Sequence, residues 1–422
     1  MLRIDRIGLF EQLTLALLFL WSMVPTRFYG EFTVLGVVAN FGDFSIVIAF
    51  VLLCVLLPFH ATDRYANLVF LLFSVIAIWA FVTIPHDQTG EIGWRYVVYS
   101  LVITYLAMAV GYAMALSAAE TEPFLTRLAG LFTFIFVVYA AESLLGLGLR
   151  SAEGTSITEM LGIQRLKGPL GGSAIIGTLM IPVIAIHLSN LINKRPFPSY
   201  HWSAMLATIA CVILSGSRAS LIGLLLFVVL ILIRFGSVRM IAAVLASGIV
   251  VVGILQQVMS FDRYASFADR GREETIATSF RMLTDNPRSL FLGQGHGAVW
   301  PWYQTDIKLV TGEVKNWQIL IQQTEYGILL YHPHSLYLGM LVELGLAALC
   351  LFGLLLLLPI WVSWRKSDGH MRMPQILAMG MLSTYPLLLL DYYLFKNWIV
   401  SIVWWIFLFS TMLLRRNEGG TP

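Results

Sequence analysis

The sequence predicts an all-α membrane protein, a polytopic bundle of about 12 transmembrane helices with one large loop on the outer face. Composition is the first observation: of 422 residues, 58% are apolar and only 12% are charged, whereas a soluble domain needs far more charge to cover its surface. The second is a mean hydropathy of +0.80. The third is that apolar stretches of membrane-spanning length recur along almost the whole chain. The net charge of +3 is too small to indicate a nucleic-acid partner.

Apolar segments of helical length define the predicted spans. They lie at residues 7–24, 43–59, 67–84, 95–117, 124–147, 172–193, 202–215, 219–234, 239–258, 335–363, 373–393 and 396–414. A shorter apolar segment, 32–42, is a candidate re-entrant piece. Segments 202–215 and 219–234 are also short and flank Ser215-Gly216-Ser217-Arg218, which predicts a helical hairpin with a polar tip.

The distribution of Lys and Arg predicts the orientation. With the N-terminus inside, the cytoplasmic loops carry thirteen of these residues, against seven in the short loops of the opposite face. Both termini are therefore expected in the cytoplasm, and the longest polar stretch outside. The predicted organisation is helices 1–9 in residues 1–258, a large outer loop subdomain in 259–334, and helices 10–12 with a cytoplasmic tail in 335–422.

The outer loop has two local signals. Segment 273–286 has helical character and stops before Pro287, a residue that disfavours continuation of a helix. Gly293, Gly295 and Gly297 follow and predict a tight loop.

Several basic residues lie on the outer face, against the usual cytoplasmic preference. They are Arg165, Lys167, Arg218, Arg263, Arg270, Arg272, Arg281 and Arg288. The planar guanidinium matches phosphate oxygens in pairs, so converging arginines would suit a lipid-linked phosphate or pyrophosphate. Alternatively, such residues reach lipid headgroups or pair with loop acids. Arg218 differs because it lies between two short apolar helices, where an ionisable residue is a functional candidate.

A histidine pair precedes the long span 335–363, in Tyr331-His332-Pro333-His334-Ser335. Pro333 biases the residue before it away from helix, so His334 and Ser335 are expected where the helix starts. The partial positive charge of a helix N-terminus favours a neutral imidazole, which can accept a proton. His334 is therefore a candidate general base for a hydroxyl nucleophile. The alternative is a structural histidine that hydrogen-bonds a loop carbonyl.

A metal site is the remaining interpretation of the histidines His332, His334 and His296. Two residues of separation do not place two imidazoles on one helical face, and no carboxylate cluster accompanies them. We therefore expect neither a metal nor another cofactor.

Three segments, in order, resemble the bacterial O-antigen ligase and polymerase superfamily. They are Leu214-Ser215-Gly216-Ser217-Arg218; Gly271-Arg272-Glu273 with Asn286-Pro287 and Gly293-Gln294-Gly295; and His334-Ser335, followed after nine residues by Gly345. The last is similar to the ligase pattern, which usually continues with Gly, Thr or Tyr where this chain has Ala348. Among the superfamily's members, this pattern and the chain length favour an O-antigen ligase.

The resemblance implies the helical fold of polyprenyl-dependent membrane glycosyltransferases. It implies metal-independent, inverting transfer of a glycan from undecaprenyl pyrophosphate to a sugar hydroxyl of lipid A–core oligosaccharide. The active site would face the periplasm, in the inner membrane of a Gram-negative bacterium, with membrane lipids around it. Implied site residues are the general base His334, the essential arginines Arg218 and Arg272, and the further pyrophosphate-binding residues Arg165, Lys167 and Arg288.

Other functions stay open at this point. An O-antigen polymerase would use the same chemistry with a second polyprenyl-linked glycan as acceptor, and a related oligosaccharyltransferase would use protein hydroxyls. A transporter or flippase usually has inverted repeats and ionisable residues at the membrane midplane. Here no repeat is visible and the charges gather on one face.

Overall fold

The computed structural model describes residues 2–23, 31–34, 37–40, 63–84, 98–120, 123–145, 156–158, 163–164, 166, 173–236, 270–285, 287–300, 321–330, 332–365 and 373–414. The predicted spans 43–59 and 239–258 lie outside these residues. The same holds for 259–269 and 301–320 of the predicted outer loop.

The described residues are mainly helical. The helices are α1 (Leu2–Met23), α2 (Arg64–Val82), α3 (Ile103–Glu120), α4 (Pro123–Leu145), α5 (Ser173–Ile192), α6 (Pro198–Leu214), α7 (Arg218–Phe235), α8 (Arg270–Asp285), α9 (Pro287–Leu292), α10 (Leu336–Trp364), α11 (Met373–Thr384), α12 (Tyr393–Lys396) and α13 (Trp398–Leu413). A π-helical turn (Val98–Val102) precedes α3, and a 3₁₀ turn (Tyr385–Leu389) follows α11. The strands form antiparallel hairpins: β1 (Glu31–Val34) with β2 (Val37–Asn40), β3 (Ser156–Thr158) with β4 (Ile163–Gln164), and β5 (Ile321–Thr324) with β6 (Gly327–Leu330).

Four of the described helices are long and apolar enough to cross a membrane, over Arg64–Val82, Phe124–Glu142, Ile175–Ile192 and Leu336–Trp364. Shorter apolar helices accompany them, over Gly8–Leu20, Ser100–Leu116, Pro198–Leu214, Met373–Leu389 and Trp398–Leu413. These features agree with an all-α membrane protein. The total of 12 spans, the outer position of the large loop and the three-part division of the chain stay predictions.

Two close approaches between helices occur at glycines. α13 lies along α3, where a Cβ added at Gly111 would meet the Cβ of Trp405 at 2.6 Å. α11 approaches α5 in the same way, because a Cβ at Gly380 would lie 2.9 Å from the Cβ of Ala185. Small residues at such contacts are the usual means by which membrane helices pack closely. α5 also packs against α4, α6 and α7, so it lies at the centre of the described bundle.

Two predicted spans are interrupted in the structure. The span predicted at 335–363 corresponds to α10, which is long and apolar enough to cross a membrane, but α10 has a break at Gly345, where φ is 81° and ψ is 175°. The span predicted at 373–393 corresponds to the shorter apolar helix Met373–Leu389. α11 ends at Thr384 and the chain continues as a 3₁₀ turn that contains Pro386, a residue that cannot donate the next helical hydrogen bond.

Other predicted segments agree with the structure. α8 confirms the helix expected at 273–286, and α6 and α7 confirm the hairpin of short helices at 202–215 and 219–234. The candidate re-entrant segment 32–42 contains most of the β1–β2 hairpin, and its entry into the membrane stays a prediction. The three glycines of the loop all have positive φ, as a tight loop requires.

α8 and the β5–β6 hairpin pack together. The N–H of Leu330 donates to Thr275 Oγ1 at 2.9 Å, and Arg281 Nη1 donates to the carbonyl oxygen of Tyr326 at 3.0 Å. The Tyr326 hydroxyl donates to Asp285 Oδ2 at 2.9 Å, which raises the pKa of Tyr326 to about 12 and keeps the phenol a donor. Since β6 ends just before α10 begins, this unit leads directly into the start of α10.

Candidate active site

His334 directly precedes the residue that caps α10. Its φ of 49° lies in the left-handed region, which residues other than glycine seldom adopt. Its backbone N–H donates to His332 Nδ1 at 3.0 Å. Ser335 Oγ then accepts from the N–H of Leu338 at 3.2 Å as the helix cap, an arrangement typical of serine. The prediction that His334 and Ser335 lie at a helix start is therefore confirmed.

The two histidines before α10 have different surroundings. His332 is buried, and its ring meets the ring of Tyr392 edge-on at a centroid distance of 5.5 Å. Gly339 leaves room for Tyr392, because a Cβ there would lie 2.7 Å from its Cε2. The ring of His334 lies 4.8 Å from that of His332 and is partly exposed. His332 thus holds the backbone turn, and His334 is the histidine of this pair that a substrate can meet.

α10 breaks after its first nine residues, 336–344, and the break leaves carbonyl groups without helical partners. Three of these carbonyls are capped from outside the helix. The pairs are Gln294 N–H to Val342 O (2.9 Å), Gly295 N–H to Glu343 O (2.9 Å) and Trp79 Nε1–H to Leu344 O (3.1 Å). The glycine turn of the outer loop is therefore the C-terminal cap of the helical segment that follows His334.

The spacing between His334 and Gly345 has a structural reason. A Cβ on Gly345 would overlap the Phe291 carbonyl and lie 2.7 Å from Gly293 N. The φ and ψ of Gly345 also fall where essentially only glycine is found. The nine residues between Ser335 and Gly345 are the length of the first helical segment, and the glycine marks where the loop docks. Ala348 lies beyond the break, buried in the second segment.

Arg272 lies in the first turn of α8. The adjacent Gly271 faces Leu330 of β6, whose Cδ2 would lie 3.2 Å from a Cβ at that glycine. Thr275, one turn further, accepts the N–H of the same leucine. The start of the helix that carries Arg272 is thus fixed against the strand that leads to His334.

Arg218 is the first residue of α7, at the tip of the hairpin with α6, and is partly exposed. Gly216 makes the turn with a φ of 57°. Ser217 Oγ caps α7 by accepting from the N–H of Ser220 at 3.3 Å. Ser220 itself packs against α5, where a Cβ on Gly177 would lie 2.5 Å from the serine Oγ. The hairpin tip is therefore held closely against the central helix.

α5 also connects the hairpin tip to the histidine pair. Thr178, adjacent to the α7 contact, hydrogen-bonds the hydroxyl of Tyr393. The neighbouring Tyr392 packs against His332. A continuous series of contacts thus runs from the helix that begins with Arg218 to the start of α10.

Arg165 and Lys167 lie outside the described residues. Leu166, between them, is buried, and its N–H donates to the carbonyl oxygen of Leu214 at 3.3 Å. The backbone between these two basic residues therefore contacts the hairpin tip that carries Arg218.

Arg288 is exposed in the second position of α9. α9 packs against α10, and the turn after it docks at Gly345. The structure thus places Arg288 on the loop surface next to the broken helix.

Trp79 and Glu343 are two further residues at the break in α10 that were not predicted from the sequence. Glu343 is 2% exposed, and its Oε2 lies 3.1 Å from His296 Nδ1. The available signal is an acid inside an apolar span, since ionisable residues there are rarely without function. Trp79 gives no comparable signal, because tryptophan in an apolar helix is ordinary.

Within the part of the chain that the structure describes, no group of three or more His, Cys, Asp or Glu side chains is gathered in a way that could hold a metal ion. His296, weighed as a ligand together with His332 and His334, instead contacts Glu343 and Ser100.

A comparison with protein families matches residues 203–353 to the family model described as O-antigen ligase. No curated protein matches the chain. The matched region runs from α6 through the first part of α10 and contains all three motifs on which the resemblance depends. Members of this family are membrane glycosyltransferase-like enzymes, ligases or polymerases. This match over residues 203–353 supports the resemblance of the chain to the O-antigen ligase superfamily.

Proposed function

We propose that the protein is an O-antigen ligase. It transfers a glycan from undecaprenyl pyrophosphate to a sugar hydroxyl of lipid A–core oligosaccharide, at the periplasmic face of the Gram-negative inner membrane. The observation that carries the proposal is the partly exposed His334 at the start of a broken, loop-capped helix inside the matched region.

His334 acts as the general base. As the acceptor hydroxyl attacks the anomeric carbon, its proton passes to the imidazole and the bond from that carbon to the pyrophosphate oxygen breaks, with inversion. General-base catalysis needs a base held within hydrogen-bond reach of that proton. The His332 contact and the Ser335 cap fix the backbone on both sides of His334, which supports this role.

The arginines neutralise the leaving group. Pyrophosphate departs with developing negative charge, and fixed cations that await this charge lower the barrier. Arg218 and Arg272 are the first choice, since Arg218 begins α7, Arg272 lies in the first turn of α8, and each of these helices packs against a neighbour at a glycine. Arg165, Lys167 and Arg288 are proposed as further contacts to the pyrophosphate. With these cations in place, the reaction has no requirement for a divalent metal.

Both substrates carry lipid anchors. The membrane therefore holds the polyprenyl donor and the lipid A–core acceptor at one depth, which replaces a search in three dimensions by lateral diffusion. Because α10 begins at the histidine, a base at its outer end would lie level with the headgroups.

A reconstituted reaction tests the proposal. Purified protein in lipid nanodiscs would receive undecaprenyl pyrophosphate-linked glycan, with lipid A–core added to one sample and left out of the other. We expect one glycan transferred to core in the first sample and no product in the second. A ladder of lengthened glycans that forms without core would instead identify a polymerase.

The orientation can be tested separately. Reporter fusions within 301–320, between α9 and β5, should report a periplasmic location. A cytoplasmic location would contradict the proposed site, because the pyrophosphate-linked donor and the His334 turn would then lie on opposite faces.

A further inference from the structure

A buried polar contact joins the outer loop to α10 beside the break. Glu343 Oε2 lies 3.1 Å from His296 Nδ1, and His296 Nε2 hydrogen-bonds Ser100 Oγ at 3.1 Å. The second carboxylate oxygen lies 3.4 Å from the backbone N–H of Trp300. The tautomer of His296 decides whether Nε2 donates to the Ser100 hydroxyl or accepts from it.

All three side chains are inaccessible to solvent. Ser100 is 0% exposed, His296 is 1% exposed and Glu343 is 2% exposed. An acid in such surroundings is strongly unfavourable without partners, and removal of one partner leaves the other group uncompensated. The contact therefore restricts the position of the loop relative to α10, because any displacement would leave a buried polar group without its partner.

The three residues come from three separate parts of the chain. Ser100 belongs to the π-helical turn before α3, His296 to the glycine turn, and Glu343 to the last turn before the break in α10. The same turn caps the carbonyls of that helix through Gln294 and Gly295. Side-chain and backbone contacts thus converge on one short segment, 293–300.

The order serine, histidine, acid is also that of a hydrolase triad. Burial argues against a second active site, because the serine oxygen is fully enclosed and no ester or amide could reach it. A role in holding structure is the one that the geometry supports.

We infer that Glu343 and His296 are positioning residues that lock the outer-loop turn 293–300 onto the first segment of α10 and so set the placement of His334 for glycan transfer. This inference rests on the proposed function for its catalytic part. Neither side chain touches the substrate. Each acts through the nine-residue segment 336–344 of α10. This segment starts just after His334 and Ser335, and the turn 293–300 caps its other end.

Hydrogen exchange tests the lock independently of activity. The full chain in nanodiscs would be compared as wild type, Glu343→Gln, His296→Gln and the double variant. Loss of a buried partner should speed exchange of the amides in 293–300 by about tenfold, because the turn opens more often. Peptides from α5 should be unchanged. Unaltered exchange in 293–300 in both single variants would overturn the inference. If the Glu343→Gln variant does not accumulate, the His296→Gln variant, which changes the loop side of the contact, provides the same test.

Glu11→Gln is the matched control. Glu11 is also 2% exposed, and its Oε2 binds Arg127 Nη2 at 3.1 Å between α1 and α4, away from the outer loop. This variant removes a buried carboxylate charge of the same kind. We expect no change in exchange of 293–300 and unchanged turnover per folded protein.

Kinetics test the positioning role. In Glu343→Gln and His296→Gln, kcat per folded protein should fall about tenfold with the KM for the donor nearly unchanged, because a misplaced base weakens only the transition state. The double variant should be no worse than the poorer single one, since both act through one contact. Faster loop exchange with full kcat would contradict positioning. If the wild-type protein has no transfer activity but the variants show the expected exchange pattern, the proposed function is wrong. The structural role of Glu343 and His296 in holding the turn would still be supported.

Discussion

The protein contains two histidine pairs in very different settings. His332 and His334 precede α10, and one of the two rings is partly exposed. His187 of α5 and His201 of α6 form a pair with Nδ1 atoms 3.2 Å apart, and both are buried. His187 also contacts Thr133 Oγ1 through Nε2 at 3.2 Å. This second pair lies ten residues along α5 from Gly177, about 15 Å from the Arg218 hairpin tip along the helix axis.

The difference shows what makes a histidine usable as a base. Both ring nitrogens of His187 face other side chains, so its hydrogen bonds are spent inside the fold. In the pair before α10 the two tasks are divided: His332 holds the backbone turn, and the ring of His334 is partly exposed. The buried pair His187 and His201 joins two helices. In the pair His332 and His334, one histidine fixes the backbone and the ring of the other is accessible.

Replacement of one histidine from each pair should produce the largest difference, with transfer lost in one variant and stability lowered in the other. His334→Ala removes the proposed base, so transfer should fall on the order of 10²–10⁴-fold while the protein still inserts and folds. His187→Asn should lower thermal stability but keep turnover per folded molecule. Reconstituted transfer and thermal unfolding measure the two. Wild-type transfer by His334→Ala would remove the assignment of His334 as the base.

Arg218→Lys tests whether the arginine at the tip of the α6–α7 hairpin has a functional role. A point charge cannot replace a bidentate fork, so we expect kcat lower on the order of 10²-fold. Arg234→Lys, in the last turn of the same helix, is the control and should keep full activity. Near-normal turnover of the Arg218 variant would indicate a structural arginine.

Gly345→Ala tests whether the placement of His332 and His334 depends on the break in α10. The added Cβ would overlap the Phe291 carbonyl at a backbone conformation restricted to glycine. Strain alone should lower stability by about 1–3 kcal/mol, with a parallel loss of transfer, measured by thermal unfolding and by turnover. Gly353→Ala, on the same helix with no atom within 4 Å, is the matched control and should be neutral or slightly stabilising. Equal stability of the two variants would argue against the docking of the loop at Gly345.

The smallest expected effect is that of chelation. Either histidine pair resembles half of a metal site, but the proposed arginines supply the charge that a divalent ion would bring. Transfer in excess EDTA should therefore equal transfer without it. Inhibition that added divalent ion reverses would contradict the metal-independent mechanism and reopen a metal role for one of the pairs.

Much of the fold follows from local patterns. The apolar segments predict most of the described helices, and Ser335 and Ser217 mark helix starts because their hydroxyls cap the first turn. The breaks were not predictable in the same way. Gly345 lies in a continuous apolar run, and its conformation depends on a turn fifty residues earlier in the chain. Periodicity reports local preference and carries no information about such a distant partner.

The candidate site shows the same limit. Residue type and position were enough to single out His334, Arg218 and Arg272. The contact between Glu343 and His296 was not visible, because it joins residues of different segments whose meeting only the folded chain defines.

The capping of α10 has a consequence for how the protein is made. The ribosome completes Gln294 and Gly295 well before Val342 and Glu343, so the donors are synthesised before the acceptors. On the proposed topology, a loop that failed to cross the membrane would leave the new helical segment entering lipid with open carbonyls, each unfavourable by several kcal/mol. On that topology, we expect export of the loop and insertion of α10 to be coupled steps of biogenesis.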